Sequence, residues 1–168
     1  MRTLPFTKMH GLGNDYVYID CFQPEVAALI AQTDLHQLAR RISDRHRGVG
    51  SDGLVLIMPS EVADLRMRMF NADGSEAQMC GNASRCVGRY AFERGLCGSL
   101  MTLETLAGIR QIAIHTDMHN CVEQVIVDMG VPVVKAHNSI WPRSDRSYVA
   151  VDMGNPHAVL FVRTSVDE

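Results

Sequence analysis

Asn71-Ala72-Asp73-Gly74-Ser75-Glu76-Ala77-Gln78-Met79-Cys80-Gly81-Asn82-Ala83 is the stretch on which the reading of this chain turns. It follows Leu65-Arg66-Met67-Arg68-Met69-Phe70, whose alternation predicts a strand with one wet face. It leads into a helix predicted from about Ala83 to Arg94 and stopped by Gly95 as a C-terminal cap. The stretch therefore leaves a strand, crosses a polar loop and delivers Cys80 to the start of a helix. A helix N-terminus offers free backbone N–H groups and a partial positive charge. Both favour thiolate over thiol, and the same N–H groups can hold a substrate carboxylate. Gly81 lets the backbone come close to a ligand, and Asn82 can cap or hydrogen-bond. The same residue types also fit a small, unreactive buried cysteine beside an ordinary asparagine cap. Residue types alone leave both readings open.

Upstream, Phe6 to Met9 and Tyr16 to Asp20 read as short strands separated by the turn Gly11-Leu12-Gly13-Asn14. Leu35, Leu38, Ala39 and Ile42 recur at helical spacing after Asp34, a candidate N-cap. A polar, glycine-rich loop from Arg45 to Gly53 follows, and then Leu54 to Met58, a continuous apolar run that reads as a buried strand. Downstream of Gly95 the pattern changes. Met101 to Glu104, Ile109 to Thr116, Cys121 to Asp128, Tyr148 to Asp152 and Ala158 to Val162 are strand-like, and helix signals are missing. The fold class is α+β with a β-rich tail. A polar shift near Asp117 to Asn120 is the candidate domain boundary. Val125-Ile126-Val127-Asp128-Met129-Gly130 echoes Val149-Ala150-Val151-Asp152-Met153-Gly154, which we read as neighbouring strands sharing one exit turn rather than as a solenoid repeat.

Composition narrows the function. Apolar residues make up 46% of the 168, which fits a globular chain, and a formal net charge of −3 gives no reason to expect nucleic acid or an acidic membrane as partner. No apolar run approaches the roughly 20 residues that span a bilayer, and Met1 to His10 lacks a signal-peptide core, so a cytoplasmic protein is expected. The five cysteines, Cys21, Cys80, Cys86, Cys97 and Cys121, are odd in number and irregularly spaced, which speaks against a disulfide framework. None forms a CxxC pair, and His115 and His119 do not complete a zinc pattern with Cys121, so no metal site is expected. Any cysteine chemistry is thiol chemistry. Cys86 lies roughly 9 Å further along the predicted helix than Cys80 and, with Val87 and Tyr90, reads as core. Asn14 and Asn71 read equally well as turn and loop residues, and Gly11-x-Gly13 is too short a pattern to suggest nucleotide binding.

Five motifs in order carry a resemblance. They are Phe6-Thr7-Lys8-Met9-His10-Gly11-Leu12-Gly13-Asn14-Asp15-Tyr16, Arg47-Gly48-Val49-Gly50-Ser51-Asp52-Gly53, Met69-Phe70-Asn71-Ala72-Asp73-Gly74-Ser75, Met79-Cys80-Gly81-Asn82 and Gly154-Asn155-Pro156-His157. Together they resemble the diaminopimelate epimerases, in order and spacing, over essentially the whole chain. The resemblance implies two similar lobes, each wrapping strands round a central helix, with the substrate between them. Residues 1–117 would form the N-terminal lobe and 118–168 the incomplete start of the second.

The activity so implied is cofactor-independent epimerisation of LL-diaminopimelate to meso-diaminopimelate, a precursor of lysine and peptidoglycan, without pyridoxal phosphate. One cysteine thiolate removes the α-proton while a second cysteine, on the opposite face, donates one. Cys80 matches the family's first catalytic cysteine. Asn14, Asn71 and Asn155 match residues that bind the substrate, chiefly its distal centre. Gly81 and Asn82 match the backbone that receives the reacting carboxylate, and His157 matches a residue beside the reactive centre. The partner is a small amino acid, with a homodimer as the candidate assembly.

The family's second catalytic cysteine follows a Glu-Arg pair in a glycine-rich motif, and no such segment occurs before Glu168. The sequence thus reads as the first lobe and the opening strands of the second: an expressed fragment, a truncated gene product or the ordered part of a longer chain, not expected to carry full epimerase activity alone. Ala83-Ser84 stands where many relatives carry glycine and another small residue. Two other readings compete. One is a related racemase acting on another amino acid, and the other is a non-catalytic remnant that pairs its exposed strands with another chain. A thiol hydrolase is disfavoured, because no histidine neighbours Cys80 in a nucleophile motif.

Overall fold

The computed structural model describes residues 3–140 and 146–162, so the final residues of the expected second segment, 163–168, lie outside it. Strand β3 (Gly53–Met58) is buried along its length up to Met58, which explains its unbroken apolar sequence: each of its faces meets a different core. Val55 and Ile57 point to one side. There they pack with Leu65, Met67 and Met69 of β4 (Leu65–Asn71) and with Ala83, Val87 and Ala91 of helix α3 (Gly81–Glu93). Leu54 and Leu56 point to the other side, where Val17, Ile19 and Phe70 join Val26 and Ile30 of α1 (Pro24–Ala31) and Ala39 of α2 (Leu35–Ser43).

β1 (Thr7–Gly11) and β2 (Asn14–Asp20) form a hairpin, and the remaining strands of the first sheet are β5 (Glu76–Ala77), β6 (Leu100–Thr105), β7 (Gly108–Thr116) and β8 (Val122–Val127). The strand order is β1-β2-β3-β4-β6-β7-β8, with β5 paired to β4. Both parallel pairs need crossovers. α1 and α2 carry the one between β2 and β3, and α3 lies within the one between β4 and β6. α3 packs against β1 and β2 at one end of this order and against β7 and β8 at the other. A sheet whose two ends touch the same helix must curl round it. The lobe is α+β, with strands wrapped round a central helix.

Residues 3–128 form this first compact unit, and the polar stretch at Asp117 to Asn120 is the turn between its strands β7 and β8. A second compact unit begins at Met129 and holds a three-stranded antiparallel sheet of β9 (Val133–Ile140), β10 (Ser147–Asp152) and β11 (Pro156–Val159), in the order β11-β10-β9. The sequence reading needs three corrections here. β11 starts and ends earlier than the expected strand from Ala158 to Val162. β9 lies in a stretch where the sequence gives no strand signal, because its polar Lys135, His137, Asn138 and Ser139 break the alternation. The two echoing segments do not pair in one sheet: one is β8 in the first sheet and the other is β10 in the second.

Candidate active site

α3 begins at Gly81, so Cys80 is its N-cap residue, in extended conformation (φ −143°, ψ 119°). The Cys80 carbonyl accepts both the backbone N–H and the hydroxyl of Ser84, each at 2.9 Å. Those bonds close the first turn without the sulfur, which makes no capping bond. The thiol is half-buried, packs against the core and donates to Asn14 Oδ1 at 3.5 Å. Gly81 and Asn82, both half-buried, supply the first-turn backbone, and Arg85 donates to the Asn82 side chain.

The β1–β2 hairpin brings Asn14 to this helix end. Its two-residue turn, Leu12-Gly13, has φ of 56° and 85°, the positive pair that a type I′ hairpin needs. Gly11 lies directly against the first turn of α3, where a Cβ would sit 3.1 Å from the Asn82 carbonyl oxygen and 3.3 Å from its Cβ. The approach of the hairpin to the helix therefore depends on the bare backbone at Gly11.

Behind Asn14 lies a charged network. Asn14 Nδ2 donates to Asp52 Oδ2 at 2.7 Å, and the Asp15 backbone N–H donates to the same oxygen at 3.0 Å. Arg45 Nη2 bonds Asp52 Oδ1 at 3.0 Å and Asp15 Oδ1 at 2.7 Å, while Lys8 Nζ reaches Asp15 Oδ2 at 3.0 Å. The Arg45 hydrogen bond, aided by Lys8 and opposed by burial, holds the Asp15 carboxyl down at about 2.

Tyr16, Gly53 and Asn71 lie side by side across β2, β3 and β4. Strand alternation turns Asn14, Tyr16 and Asn71 to the concave face that holds α3. Burial, and then the neighbouring Cys80, push the Tyr16 hydroxyl up to about 12, so it stays a neutral phenol beside the thiol. Asn71 Nδ2 donates to Ser75 Oγ at 2.9 Å within the loop it opens. That loop is pinned from α2 by Arg40 Nε to the Asp73 carbonyl at 2.6 Å and by His36 Nδ1 to the Gly74 carbonyl oxygen at 2.8 Å.

The first unit therefore brings Cys80, Asn14, Gly81 and Asn82 together at one helix end, with Asn71 on the same sheet face. Asn155 and His157 belong to the second unit, where His157 Nε2 lies 2.8 Å from Asn155 Oδ1 at the β10–β11 turn. Cys86 is buried in the core that α3 shares with the sheet. Among the described residues, no three His, Cys, Asp or Glu gather where they could hold a metal ion. Sequence reasoning quoted Asp52 and Tyr16 within its motifs without giving them a role. Asp52 stands between Gly50 in a polar loop and Gly53 at the start of β3, and only the tertiary approach of that loop to the hairpin reveals its target.

The family model described as diaminopimelate epimerase matches residues 6–135, which contain this entire helix-end cluster. The chain belongs to the diaminopimelate epimerase family. A diaminopimelate epimerase of Acetivibrio thermocellus is 49% identical over 174 residues, covering 94% of this chain and 59% of the relative. One from Methanococcus maripaludis is 44% identical over 180 residues, covering 98% and 62%. The chain thus spans about three fifths of the length of the curated relatives it matches. Solved structures share the fold at low identity. A hydroxyproline epimerase from Agrobacterium vitis superposes with a TM-score of 0.69 at 19% identity, over 94% of this chain and 51% of that one. A Bacillus anthracis phenazine biosynthesis protein of the PhzF family gives 0.63 at 21%, over 95% and 56%. These two likenesses speak to the curled sheet and its central helix. Within the described residues no helix is long and apolar enough to cross a membrane.

Proposed function

We propose that these residues form the Cys80 side of a pyridoxal-phosphate-independent epimerase that interconverts LL- and meso-diaminopimelate in the cytoplasm. The observation that carries the reading is the half-buried Cys80 sulfur at the N-terminus of α3, free of capping duty and faced by Asn14. An amino-acid α-proton is weakly acidic, so the reaction needs a base of matched strength, a dry site and fixed dipoles at the carboxylate. The first-turn N–H groups of Gly81 and Asn82 supply such dipoles for the reacting carboxylate. Cys80 takes the α-proton from one face, or returns one to it. The second cysteine, on the opposite face, comes from the part of the family's length that this chain does not span. Asn14 and Asn71 on the concave face bind the substrate, and Asn155 and His157 take the substrate-binding roles that the family motif gives them. A homodimer is the proposed assembly.

Alkylation tests this reading. Iodoacetamide at neutral pH should label Cys80 faster than the buried Cys21 and Cys86. meso-Diaminopimelate should protect Cys80 and leave the exposed Cys121 unprotected. Protection by another amino acid alone would favour the sister racemase reading. Uniformly slow labelling at Cys80 would count against both enzyme readings.

A further inference from the structure

Three groups at this helix end bear on the Cys80 proton, and one of them, the Tyr16 hydroxyl, shares hydrogen bonds with both Cys80 and Asn14. The N-terminal N–H groups of α3 favour the thiolate. Asn14 Oδ1, 3.5 Å from Sγ, can only accept, so it favours the thiol. The balance therefore depends on which end of the Asn14 amide faces the sulfur. A flip would present Nδ2, a donor to the thiolate, in its place.

The network behind Asn14 decides that orientation. Asp52 Oδ2 accepts at once from Asn14 Nδ2 at 2.7 Å and from the Asp15 backbone N–H at 3.0 Å. A carboxylate has no proton to offer, so Asn14 must turn its NH2 towards Asp52 and its oxygen towards Cys80. Arg45 holds the other carboxylate oxygen at 3.0 Å. Among the described residues, Tyr16 and Tyr18 of β2 also interact with the thiol, and burial chiefly pushes both hydroxyls upward, so both are neutral.

We propose that Asp52 is a positioning residue for the reaction: by locking the Asn14 amide it fixes an acceptor, and not a donor, against the Cys80 sulfur. The inference rests on Cys80 being an acid/base group. In a two-base epimerase the same thiol is donor in one direction and, once deprotonated, base in the other.

The test is the rate of Cys80 alkylation across pH, read by mass spectrometry of the Cys80 peptide in the intact chain. It uses no epimerase assay, so its failure is separable from failure of the epimerase reading. Asp52→Ala frees Asn14 to flip, and should move the half-maximal pH of labelling downward, raising the rate near neutrality about threefold to tenfold. Asp52→Asn removes the charge but keeps an acceptor, because the Asp15 N–H holds the amide oxygen where Oδ2 lies. It should leave the profile close to that of the unaltered protein. If Asp52→Ala fails to fold by circular dichroism, Asn14→Ala removes the same acceptor and should shift the profile in the same direction. An unshifted profile in the folded alanine variant would overturn the proposal. So would an Asp52→Asn shift as large as that of alanine, which would make the effect one of charge and not of orientation.

Discussion

Gly53 is a position where adding one methyl group should cost heavily. It sits at the entry to β3, paired on one side with Tyr16 and on the other with Asn71. A Cβ there would lie 2.1 Å from the Phe70 carbonyl oxygen and 2.9 Å from Tyr16 Cε1, where ordinary contact begins at 3.4 Å. Relief needs movement of about an ångström, and the surroundings allow little. Phe70 is fully buried, and β3 is pressed between two cores, so neither backbone can retreat. The β3–β4 ladder must open at Gly53 and Asn71, which adds a lost backbone bond to the overpacking. Together these amount to about 3 kcal/mol. In a unit of this size that lowers the melting temperature by roughly 10 °C. Differential scanning calorimetry of Gly53→Ala measures it. Gly98→Ala is the control, since a Cβ there meets nothing within 4 Å, and it should move the transition very little. A Gly53→Ala protein melting within about 2 °C of the unaltered chain would refute the claim that this strand junction has no slack.

Two further predictions follow from the hairpin and its charges. Asp15, held down at about 2 chiefly by Arg45, favours the folded state above the ordinary carboxylate range, and that contribution disappears as pH falls towards 2. Arg45→Ala should therefore raise the Asp15 titration towards 3.8, as read by carboxyl NMR, and move acid unfolding to higher pH. The loss at neutral pH should stay under about 1 kcal/mol because the Arg45 side chain is 56% exposed, and an unmoved Asp15 titration would contradict the assignment. Leu12 is 91% exposed yet held at φ 56°, so Leu12→Asn should stabilise the fold by about 1 kcal/mol in urea titration, whereas a destabilised variant would show that the leucine packs usefully.

Much of this architecture was readable because burial writes itself into local pattern. Leu54 to Met58 is apolar throughout because both faces of β3 are covered, and Leu65 to Phe70 alternates because one face of β4 is wetter. The Cys80 helix was placed within two residues of its start, since Gly81 and Asn82 look like loop until the backbone is seen to close through Ser84. α1 was missed because it is short and buries only Val26 and Ile30, too few positions to establish a period. β5 spans just Glu76 and Ala77 and carries no pattern at all. At the site, Cys80, Asn14, Gly81 and Asn82 were legible through their motifs. Asp52 was not, because its function is to orient a side chain 38 residues earlier in the chain, and no local signal encodes that pairing.

The most direct measurement of the central claim is α-proton exchange of LL- and meso-diaminopimelate in D2O, followed by NMR, for this chain and its Cys80→Ala variant. The account predicts deuterium entering the α position in a Cys80-dependent way, with inversion only when a second acid is supplied to the opposite face. Exchange at equal rates in both proteins, or none from a folded chain that binds the substrate, would contradict it.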